Sequence, residues 1–342
     1  LKDGWISSTS PSVKEFEKKW RDLHGQGNWL AVGNGTSAIE LALRAHGITQ
    51  GKTVVIPDIT FAATINAVLN VGATPIISPV DNELLICSDK LNEIINEQKI
   101  DAVIPVSLYN KDPDFKLLKS LSNKNITIIC DWAESNPISK NANKYWEMFT
   151  ITYSLFANKF ITTGEGGLVG FSSKDVFERA KSIRDHGMDN KKRYWHIMQG
   201  MNCRMTGIQA TLGISQLKRL KDFIRKRQEI SEFYYKYLNK SEGIVYEMPK
   251  DISNPPWINN IYLESYYKEE DRDILMKKLL GSGIETRPIF YPLHQMECFK
   301  KYKIKDEYKN SYKALRGISL PTYYDLSKEQ GKFICEQISI CL

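Results

Sequence analysis

Trp29-Leu30-Ala31-Val32-Gly33-Asn34-Gly35-Thr36-Ser37-Ala38 is the stretch that decides the fold class, because an apolar run leads through two glycines into a helical pattern. Short β-branched runs and amphipathic segments then alternate to about residue 171. Near-continuous apolar strands between helices are typical of a mostly parallel sheet covered on both faces. The predicted strands are 29–32, 53–56, 74–77, 102–106, 126–130, 149–153 and 168–171, and the predicted helices are 37–45, 88–98, 114–121, 174–184, 206–217 and 220–238.

The pattern changes after the turn at 240–243. Strands are predicted at 244–248, 258–267 and 284–290, and helices at 269–280 and 328–338. This mixture indicates a smaller α+β unit. The sequence therefore predicts an α/β protein with a large domain over 1–220, followed over 221–342 by a long connecting helix and a small C-terminal domain.

Composition excludes several classes of protein. The 342 residues are 42% hydrophobic and 25% charged, which is an ordinary globular mixture. No stretch reaches the roughly 20 apolar residues of a membrane helix, so no membrane association is predicted. The net charge of +7 is dispersed, which favours small anionic substrates or a solvated surface over nucleic acid. The six cysteines are scattered without metal-site spacing, which predicts free thiols in a reducing cytoplasm and no metal.

The start of the chain, Leu1-Lys2-Asp3-Gly4-Trp5, has no apolar signal region and no initiator Met. We expect that some native N-terminal residues precede Leu1.

The glycine turn admits two interpretations. Gly33-Asn34-Gly35-Thr36-Ser37-Ala38 fits the dinucleotide fingerprint G-x-G-x-x-A, and Asp58 follows Gly35 by 23 positions, which is compatible with an NAD(P)-dependent oxidoreductase. A dinucleotide and any other phosphate-bearing cofactor would use the same feature of this turn. The backbone N–H groups of Gly35, Thr36 and Ser37 at a helix start approach a phosphate. The turn implies a phosphate without identifying its owner.

Two further residues favour a different cofactor. Asp131 follows the apolar run 126–130, and open α/β sheets bind ligands at the carboxyl ends of their strands. Lys159 lies in a polar turn beyond the next apolar run. Together with a phosphate-binding helix start, these residues suggest pyridoxal 5'-phosphate: Lys159 forms the Schiff base, Asp131 keeps the ring nitrogen protonated, and the helix start takes the phosphate.

Ordered motifs carry a resemblance across nearly the whole chain. On these motifs the chain resembles the DegT/DnrJ/StrS family of sugar aminotransferases, which have the aspartate-aminotransferase-like fold type I of the pyridoxal phosphate enzymes. The similarity is greatest to the members that aminate a GDP-linked keto sugar. The motifs are Asn34-Gly35-Thr36-Ser37-Ala38, Pro57-Asp58-Ile59-Thr60-Phe61-Ala62-Ala63-Thr64, Gly72-Ala73-Thr74-Pro75, Asp131-Trp132-Ala133-Glu134, Ser154-Leu155-Phe156-Ala157-Asn158-Lys159, residues 162–167, residues 200–206, and Thr286-Arg287-Pro288 with Tyr291-Pro292-Leu293-His294.

The resemblance implies a role for each candidate residue. Lys159 is the Schiff-base lysine and, once released, the general base, while Asp131 pairs with the pyridine nitrogen. The other cofactor contacts that it implies are Phe61 on the ring face, Glu134 near the ring hydroxyl, Ser154 with Gly35, Thr36 and Ser37 at the phosphate, and Asn202 reaching a phosphate across a homodimer interface. The implied substrate contacts are Arg204 for the donor carboxylate, Tyr291 and His294 for the acceptor, and His186 and Trp5 as further candidates.

The resemblance also implies an activity. We expect a cytoplasmic homodimer with a shared active site that works by a ping-pong Schiff-base mechanism. L-glutamate would convert the cofactor to pyridoxamine 5'-phosphate, which would then aminate a nucleotide sugar such as GDP-4-keto-6-deoxymannose for surface polysaccharide biosynthesis.

Some motifs depart from the family pattern in the substrate half. Ser107-Leu108-Tyr109-Asn110 stands where relatives carry His and Gly, residues 135–147 lack the usual glycines, and Cys203 replaces an aromatic residue. A small phosphorylated ketone such as dihydroxyacetone phosphate therefore stays open as the acceptor.

Overall fold

The computed structural model describes residues 4–25, 27–139, 144–145, 147–189, 191–305 and 307–342. Two of the segments used in the sequence analysis lie partly outside the described residues. These are the start of the chain, where residues 1–3 are not described, and the stretch 135–147, where residues 140–143 and Trp146 are not described. The first helix of the described residues is α1 (Pro11–Leu23). At its start the Ser10 hydroxyl accepts from the Ser12 amide, and Pro11 occupies the first turn.

Seven strands form the large sheet. The strands of this sheet and the helices that connect or follow them are, in chain order, β1 (Asn28–Val32), α2 (Gly35–Ala45), β2 (Thr53–Pro57), α3 (Ala62–Asn70), β3 (Thr74–Ser78), α4 (Ser88–Glu97), β4 (Ala102–Val103), α5 (Phe115–Ser122), β5 (Thr127–Asp131), β6 (Thr150–Ser154), β7 (Gly167–Phe171) and α6 (Lys174–Arg184). The strand order is β1-β7-β6-β5-β4-β2-β3. The strands from β6 to β3 are parallel, and β7 runs antiparallel to both β1 and β6.

This topology brings the candidate residues to one edge of the sheet. The carboxyl ends of the parallel strands lie there, and Gly167, the first residue of β7, pairs with Ser154, the last residue of β6. Gly167 also pairs with Val32, the last residue of β1, so the glycine turn after β1 reaches the same edge. We call this the carboxyl edge of the sheet.

Side chains on the two faces of the sheet form separate cores. Ile128 and Cys130 of β5 belong to one hydrophobic cluster, and Ile129 between them belongs to another. Successive side chains of a strand point to opposite faces, so a strand that is apolar throughout is buried on both. The sheet is therefore covered on both faces, as the sequence predicts.

After α6, the described residues form four α-helices and a four-stranded antiparallel sheet. In order these are α7 (Gly207–Lys218), α8 (Leu220–Leu238), β8 (Ile244–Tyr246), β9 (Asn260–Leu263), α9 (Glu269–Gly281), β10 (Arg287–Pro288), β11 (Gly317–Ser319) and α10 (Lys328–Cys341). The sheet has the order β10-β11-β9-β8 and its own hydrophobic cluster. We refer to residues 244–342 as the small lobe. The architecture confirms the predicted fold class.

The division of the chain at residue 220 stays a prediction. Phe223, Trp257 and Ile289, all beyond that residue, belong to the same hydrophobic cluster as Ile128 and Cys130 of the large sheet. The two parts therefore share a core.

Several element boundaries differ from the sequence predictions. The strand expected over 102–106 ends at Val103, because Pro105 has no N–H to continue the ladder; beyond it only Val106 forms a single bridge, to Asp131. The strand expected over 284–290 shrinks to Arg287–Pro288. The sequence pattern did not reveal α1, α3 and β11.

Within the described residues, no helix is long and apolar enough to cross a membrane. All six cysteines are described and are free thiols.

Candidate active site

Asp131 is buried at the carboxyl edge, where two neutral donors hold its carboxylate. Thr64, in the first turn of α3, donates its hydroxyl to Asp131 Oδ2 at 2.8 Å, and the Ala133 amide donates to Oδ1 at 3.1 Å. Burial raises the pKa of Asp131, whereas the hydrogen bonds from Thr64 and Ala133 and the charge of Lys159 lower it. These contacts favour an ionised carboxylate inside the protein.

Lys159 lies in the turn that follows β6, and its amine reaches back toward the same edge. The Lys159 Nζ atom is 3.9 Å from Glu134 Oε1 and 3.5 Å from the ring centre of Trp257. Burial lowers the pKa of Lys159, and the carboxylates of Glu134 and Asp131 partly oppose this. The result is an amine that loses its proton more readily than an exposed lysine.

Glu134 is the third titratable group of the site. Its Oε2 accepts a hydrogen bond from the Tyr109 amide at 2.7 Å. Burial raises the pKa of Glu134 to about 7, although Lys159 lowers it. The donor amide lies in a loop where Tyr109 and Asn110 have φ of 53° and 67°. Asn tolerates this left-handed region better than other non-glycine residues, which explains how Asn110 replaces the glycine of the family pattern.

The start of α2 and the end of β6 form a narrow anion cradle. An ideal Cβ on Gly35 would lie 2.9 Å from the Ser154 Cβ, so only glycine allows this approach. Asn34 caps the helix by accepting from the Ser37 amide at 2.8 Å. The amides of Gly35 and Thr36 belong to the first turn and have no acceptor within the helix. Backbone N–H groups, the helix dipole and the Ser154 hydroxyl therefore suit a phosphate.

These observations test whether the chain can hold pyridoxal phosphate. The carboxyl edge supplies a buried amine for the aldehyde, a buried carboxylate for the ring nitrogen, and a cradle that a Cβ would fill for the phosphate. Ser107 lies beside Asp131, because its amide donates to the Asp131 carbonyl. The Ser107 hydroxyl is buried without a hydrogen-bond partner. The residues fit the cofactor.

Aromatic side chains surround the space beside these groups. The Phe61 ring, which the sequence analysis assigned to the cofactor ring, is 60% exposed and lies 5.7 Å from the Phe290 ring. Phe290 stacks on Tyr109 at 5.8 Å, and Tyr109 stacks on Trp257 at 6.0 Å. Phe61 is thus free to cover a planar ligand.

Three other candidates cluster in the chain segment before α7. Arg204 forms an ion pair with Asp185, and its Nη2 donates to Asn202 Oδ1 at 3.1 Å and lies 3.5 Å from His186 Nε2. The Arg204 guanidinium, assigned from the sequence to the donor carboxylate, therefore already binds a carboxylate of its own chain. Asn202 and His186 lie together with it, so the structure brings these three candidates into one group.

The remaining candidates, His294, Tyr291 and Trp5, have separate hydrogen-bond partners. His294 is buried: its amide and Nδ1 contact the two carboxylate oxygens of Asp58 at 2.9 and 2.7 Å, and its ring stacks on Tyr308 at 4.2 Å. These contacts indicate a core position, and the acceptor contact of His294 stays a prediction. Tyr291 is half-exposed and accepts a hydrogen bond from the buried Arg272 at 2.9 Å. Trp5 is exposed and donates to Ser7 and Thr9.

The dinucleotide interpretation is wrong. β1 lies at the edge of the sheet, and its one neighbour, β7, is antiparallel to it. A dinucleotide site requires a parallel βαβ unit in which the strand after the first helix lies beside the first strand. Here four strands separate β2 from β1, and Asp58 is fully buried against His294 rather than free to bind a ribose.

Sequence reasoning missed four residues of this site. Thr64 belongs to the motif over residues 57–64, but no role was predicted for it. Its spacing of four residues from Thr60 could have indicated that the two hydroxyls lie close together. Tyr109 also lay in a quoted stretch, where it signalled only a departure from the family. Trp257 and Arg227 gave no local signal, because they reach the lysine turn from distant parts of the chain.

The fold and the site define the chain as an enzyme that depends on pyridoxal phosphate. The family model for the DegT/DnrJ/EryC1/StrS aminotransferases matches residues 1–339, and the chain belongs to this family. It is therefore an aminotransferase.

Named relatives include two enzymes called GDP-perosamine synthase. The enzyme from Escherichia coli O157:H7 is 37% identical, with 99% of this chain and 92% of the relative aligned. The enzyme from Vibrio cholerae is 33% identical, with 99% and 93% aligned. Both relatives match nearly their whole length.

Solved structures show the same fold. A sugar aminotransferase from Streptococcus pneumoniae in its PMP form has a TM-score of 0.88 at 24% identity, covering 100% of this chain and 92% of the other. Helicobacter pylori PseC, an aminotransferase of pseudoaminic acid biosynthesis, has a TM-score of 0.88 at 22% identity, covering 99% and 92%.

Proposed function

We propose that this aminotransferase moves the amino group of L-glutamate to a GDP-linked keto sugar of the GDP-4-keto-6-deoxymannose type, and that the product serves surface polysaccharide synthesis. The observation that carries the proposal is the full-length similarity to GDP-perosamine synthases at 33–37% identity. The meeting of Lys159, Asp131 and Glu134 at the carboxyl edge supports it.

Bound pyridoxal phosphate would supply an electron sink beside the carbon that loses or gains the amino group. Asp131, whose carboxylate accepts hydrogen bonds from Thr64 and Ala133, would hold a proton on the ring nitrogen. Lys159 holds the cofactor and, when free, moves a proton at its Nζ, because burial lowers its pKa. Glu134, with a pKa of about 7, holds or releases a second proton next to that amine.

The other binding roles follow from position. Gly35, Thr36, Ser37 and Ser154 bind the phosphate, and Phe61 covers the ring. Arg204 and Tyr291 are kept as substrate contacts, with Arg204 leaving Asp185 when the donor carboxylate arrives. His186 and Trp5 stay candidate substrate contacts.

We also propose a homodimer with a shared site, in which Asn202 reaches the phosphate of the partner subunit. Large apolar side chains on the segments around Asn202 support this, because such a patch favours a protein interface: Trp5, Ile6, Trp195, Ile197, Ile208 and Leu212 are all exposed. The free cysteines support a cytoplasmic location.

Two measurements test the proposal. Borohydride reduction of the yellow holoenzyme, followed by peptide mass analysis, is expected to fix the cofactor on Lys159 and to give no fixed product with Lys159→Ala. The enzyme is then loaded with amino groups from L-glutamate and mixed with GDP-4-keto-6-deoxymannose, a UDP-linked keto sugar or dihydroxyacetone phosphate. If the GDP sugar is turned over fastest, the result supports this sugar as the acceptor. Faster turnover of the UDP-linked keto sugar or of dihydroxyacetone phosphate overturns that assignment.

A further inference from the structure

Trp257 of the small lobe makes the nearest ring contact of the Lys159 amine. The Nζ atom lies 3.5 Å from the indole ring centre, and Trp257 is only 5% exposed. A cation over the face of a tryptophan is attracted by the ring quadrupole, and the attraction is stronger where water is excluded. The geometry therefore favours a charged amine that points at the ring.

Hydrogen bonds hold the two residues in this arrangement. The Trp257 Nε1–H donates to the Asn158 carbonyl at 2.8 Å, directly beside Lys159. Arg227 of α8 donates from Nε to the Trp257 carbonyl at 3.4 Å and from Nη2 to the Lys159 carbonyl at 3.2 Å. The backbone of the lysine turn and the tryptophan are thus fixed to one another across the junction of the large sheet and the small lobe.

We propose that Trp257 is a positioning residue for Lys159: its ring binds the lysine ammonium in the chain without cofactor, directs the amine and stabilises its charged form. The inference rests on the role of Lys159 in the proposed function. Trp257 is then the contact through which the small lobe acts on the cofactor lysine.

Other charged groups also act on this amine. Glu134 and Asp131 come from the end of β5 and the residues after it, Arg227 comes from α8, and Tyr109, in the loop after β4, stacks on Trp257. Glu134 is the strongest competitor, since its carboxylate lies 3.9 Å from Nζ. A test must therefore remove the Glu134 carboxylate, because the lysine ammonium could otherwise bind it when the Trp257 ring is absent.

The experiment compares Trp257→Phe with Trp257→Met, both in a Glu134→Gln background. Both substitutions remove the indole N–H, but only phenylalanine keeps an aromatic face. The second-order rate at which pyridoxal phosphate turns the cofactor-free protein yellow is measured against pH, because only the neutral lysine attacks the aldehyde. The titration of the cofactor itself is common to all variants and cancels in the comparison.

We expect the midpoint of the pH–rate profile to be about one pH unit lower in Trp257→Met than in the Glu134→Gln parent, with Trp257→Phe close to the parent. Equal midpoints in the two variants, or a higher midpoint in Trp257→Met, overturn the inference, and so does slower capture at every pH with an unchanged midpoint. Should Trp257→Met fail to show a folded circular dichroism spectrum, Trp257→Leu replaces it in the same comparison.

A matched control uses a lysine–aromatic pair outside the site. Lys236 Nζ lies 5.5 Å from the exposed Tyr237 ring on α8, so Tyr237→Met is expected to leave the midpoint unchanged. The Lys159 assignment is tested separately, by borohydride fixation in Lys159→Ala. If Lys159→Ala still fixes the cofactor, the proposed function fails; unshifted Trp257 variants with fixation at Lys159 overturn only this inference.

Discussion

Thr64 donates its hydroxyl to Asp131 Oδ2 at 2.8 Å, joining the first turn of α3 to the last residue of β5. Thr64 is fully buried, and its hydroxyl lies 2.8 Å from that of Thr60. A buried carboxylate keeps its charge only when donors replace the lost water. This hydrogen bond therefore opposes the rise in the pKa of Asp131 that burial causes.

Thr64→Val is expected to weaken cofactor binding. The substitution keeps the shape but removes a donor to a buried carboxylate, so we expect roughly tenfold lower affinity for pyridoxal phosphate. Since Thr64 lowers the pKa of Asp131, its loss raises that pKa, and the difference from the wild type should widen as pH falls. Titration of the cofactor-free protein with pyridoxal phosphate at several pH values measures this. Thr64→Ser is the control that should restore affinity; wild-type affinity of Thr64→Val at every pH would contradict the role.

Glu134→Gln is expected to stabilise the cofactor-free protein above pH 7. Burial raises the pKa of Glu134 from 4.5 to about 7, so the folded chain binds a proton that the unfolded chain lacks between these values. The stability due to neutral Glu134 is therefore full below pH 4.5 and is lost as pH rises through 7. Glutamine cannot ionise, and its advantage should reach up to about 3 kcal/mol at pH 8 and vanish in acid. Urea unfolding at pH 4.5 and 8 measures the difference.

Glu247→Gln provides a control of opposite sign. Burial raises the pKa of Glu247, but Lys111 and Lys313 outweigh burial and hold the pKa below its ordinary value. The stability from this carboxylate is present above the unfolded pKa and is lost as pH falls through the folded one. Glu247→Gln should therefore be less stable than the wild type at pH 8, and the gap should close in acid. If the stabilities of Glu134→Gln and Glu247→Gln relative to the wild type changed with pH in the same direction, the two carboxyl groups would not have the opposite pKa shifts that the structure indicates.

His294→Ala is expected to reduce stability, and its effect on acceptor binding tests the contact that the sequence predicts. The substitution leaves Asp58, which is fully buried, without its side-chain partner, and the loss of one partner of a buried hydrogen bond costs about 1–3 kcal/mol. Denaturant unfolding and the acceptor KM distinguish the two roles. A raised KM at unchanged stability would support the acceptor contact that the sequence predicts. Asp58→Asn combined with His294→Ala should recover part of the loss.

Mixing two inactive variants tests the shared active site. In a hybrid of Lys159→Ala and Asn202→Ala subunits, one site receives both substitutions and the other receives neither. Random exchange of an equal mixture should therefore restore about a quarter of the wild-type activity at limiting cofactor. The control mixture of Lys159→Ala and Asp131→Ala should stay inactive, because both residues come from the same subunit's half of the site. Absence of recovery in the first mixture would mean that Asn202 does not cross the interface.

The sequence by itself determined the layered α/β architecture and the cofactor class. Apolar strands reveal themselves by local pattern, and parallel strands bring their carboxyl ends to one edge, so Asp131 at the end of one strand and Lys159 after the next could be placed together in advance. The helix start at Gly35 is equally local. Its fit against Ser154 is not, because it depends on the strand order β1-β7-β6.

Only the tertiary structure decided the environment of these groups. The sequence offered His294 as an acceptor contact, but its partner Asp58 lies 236 positions earlier, and no local periodicity encodes such a pair. The same holds for Trp257, whose ring meets Lys159 where the small lobe packs on the large sheet. Residue type and spacing supply the chemistry of a side chain. Its charge state and direction depend on burial and on partners from remote segments, and these exist only once the chain has folded.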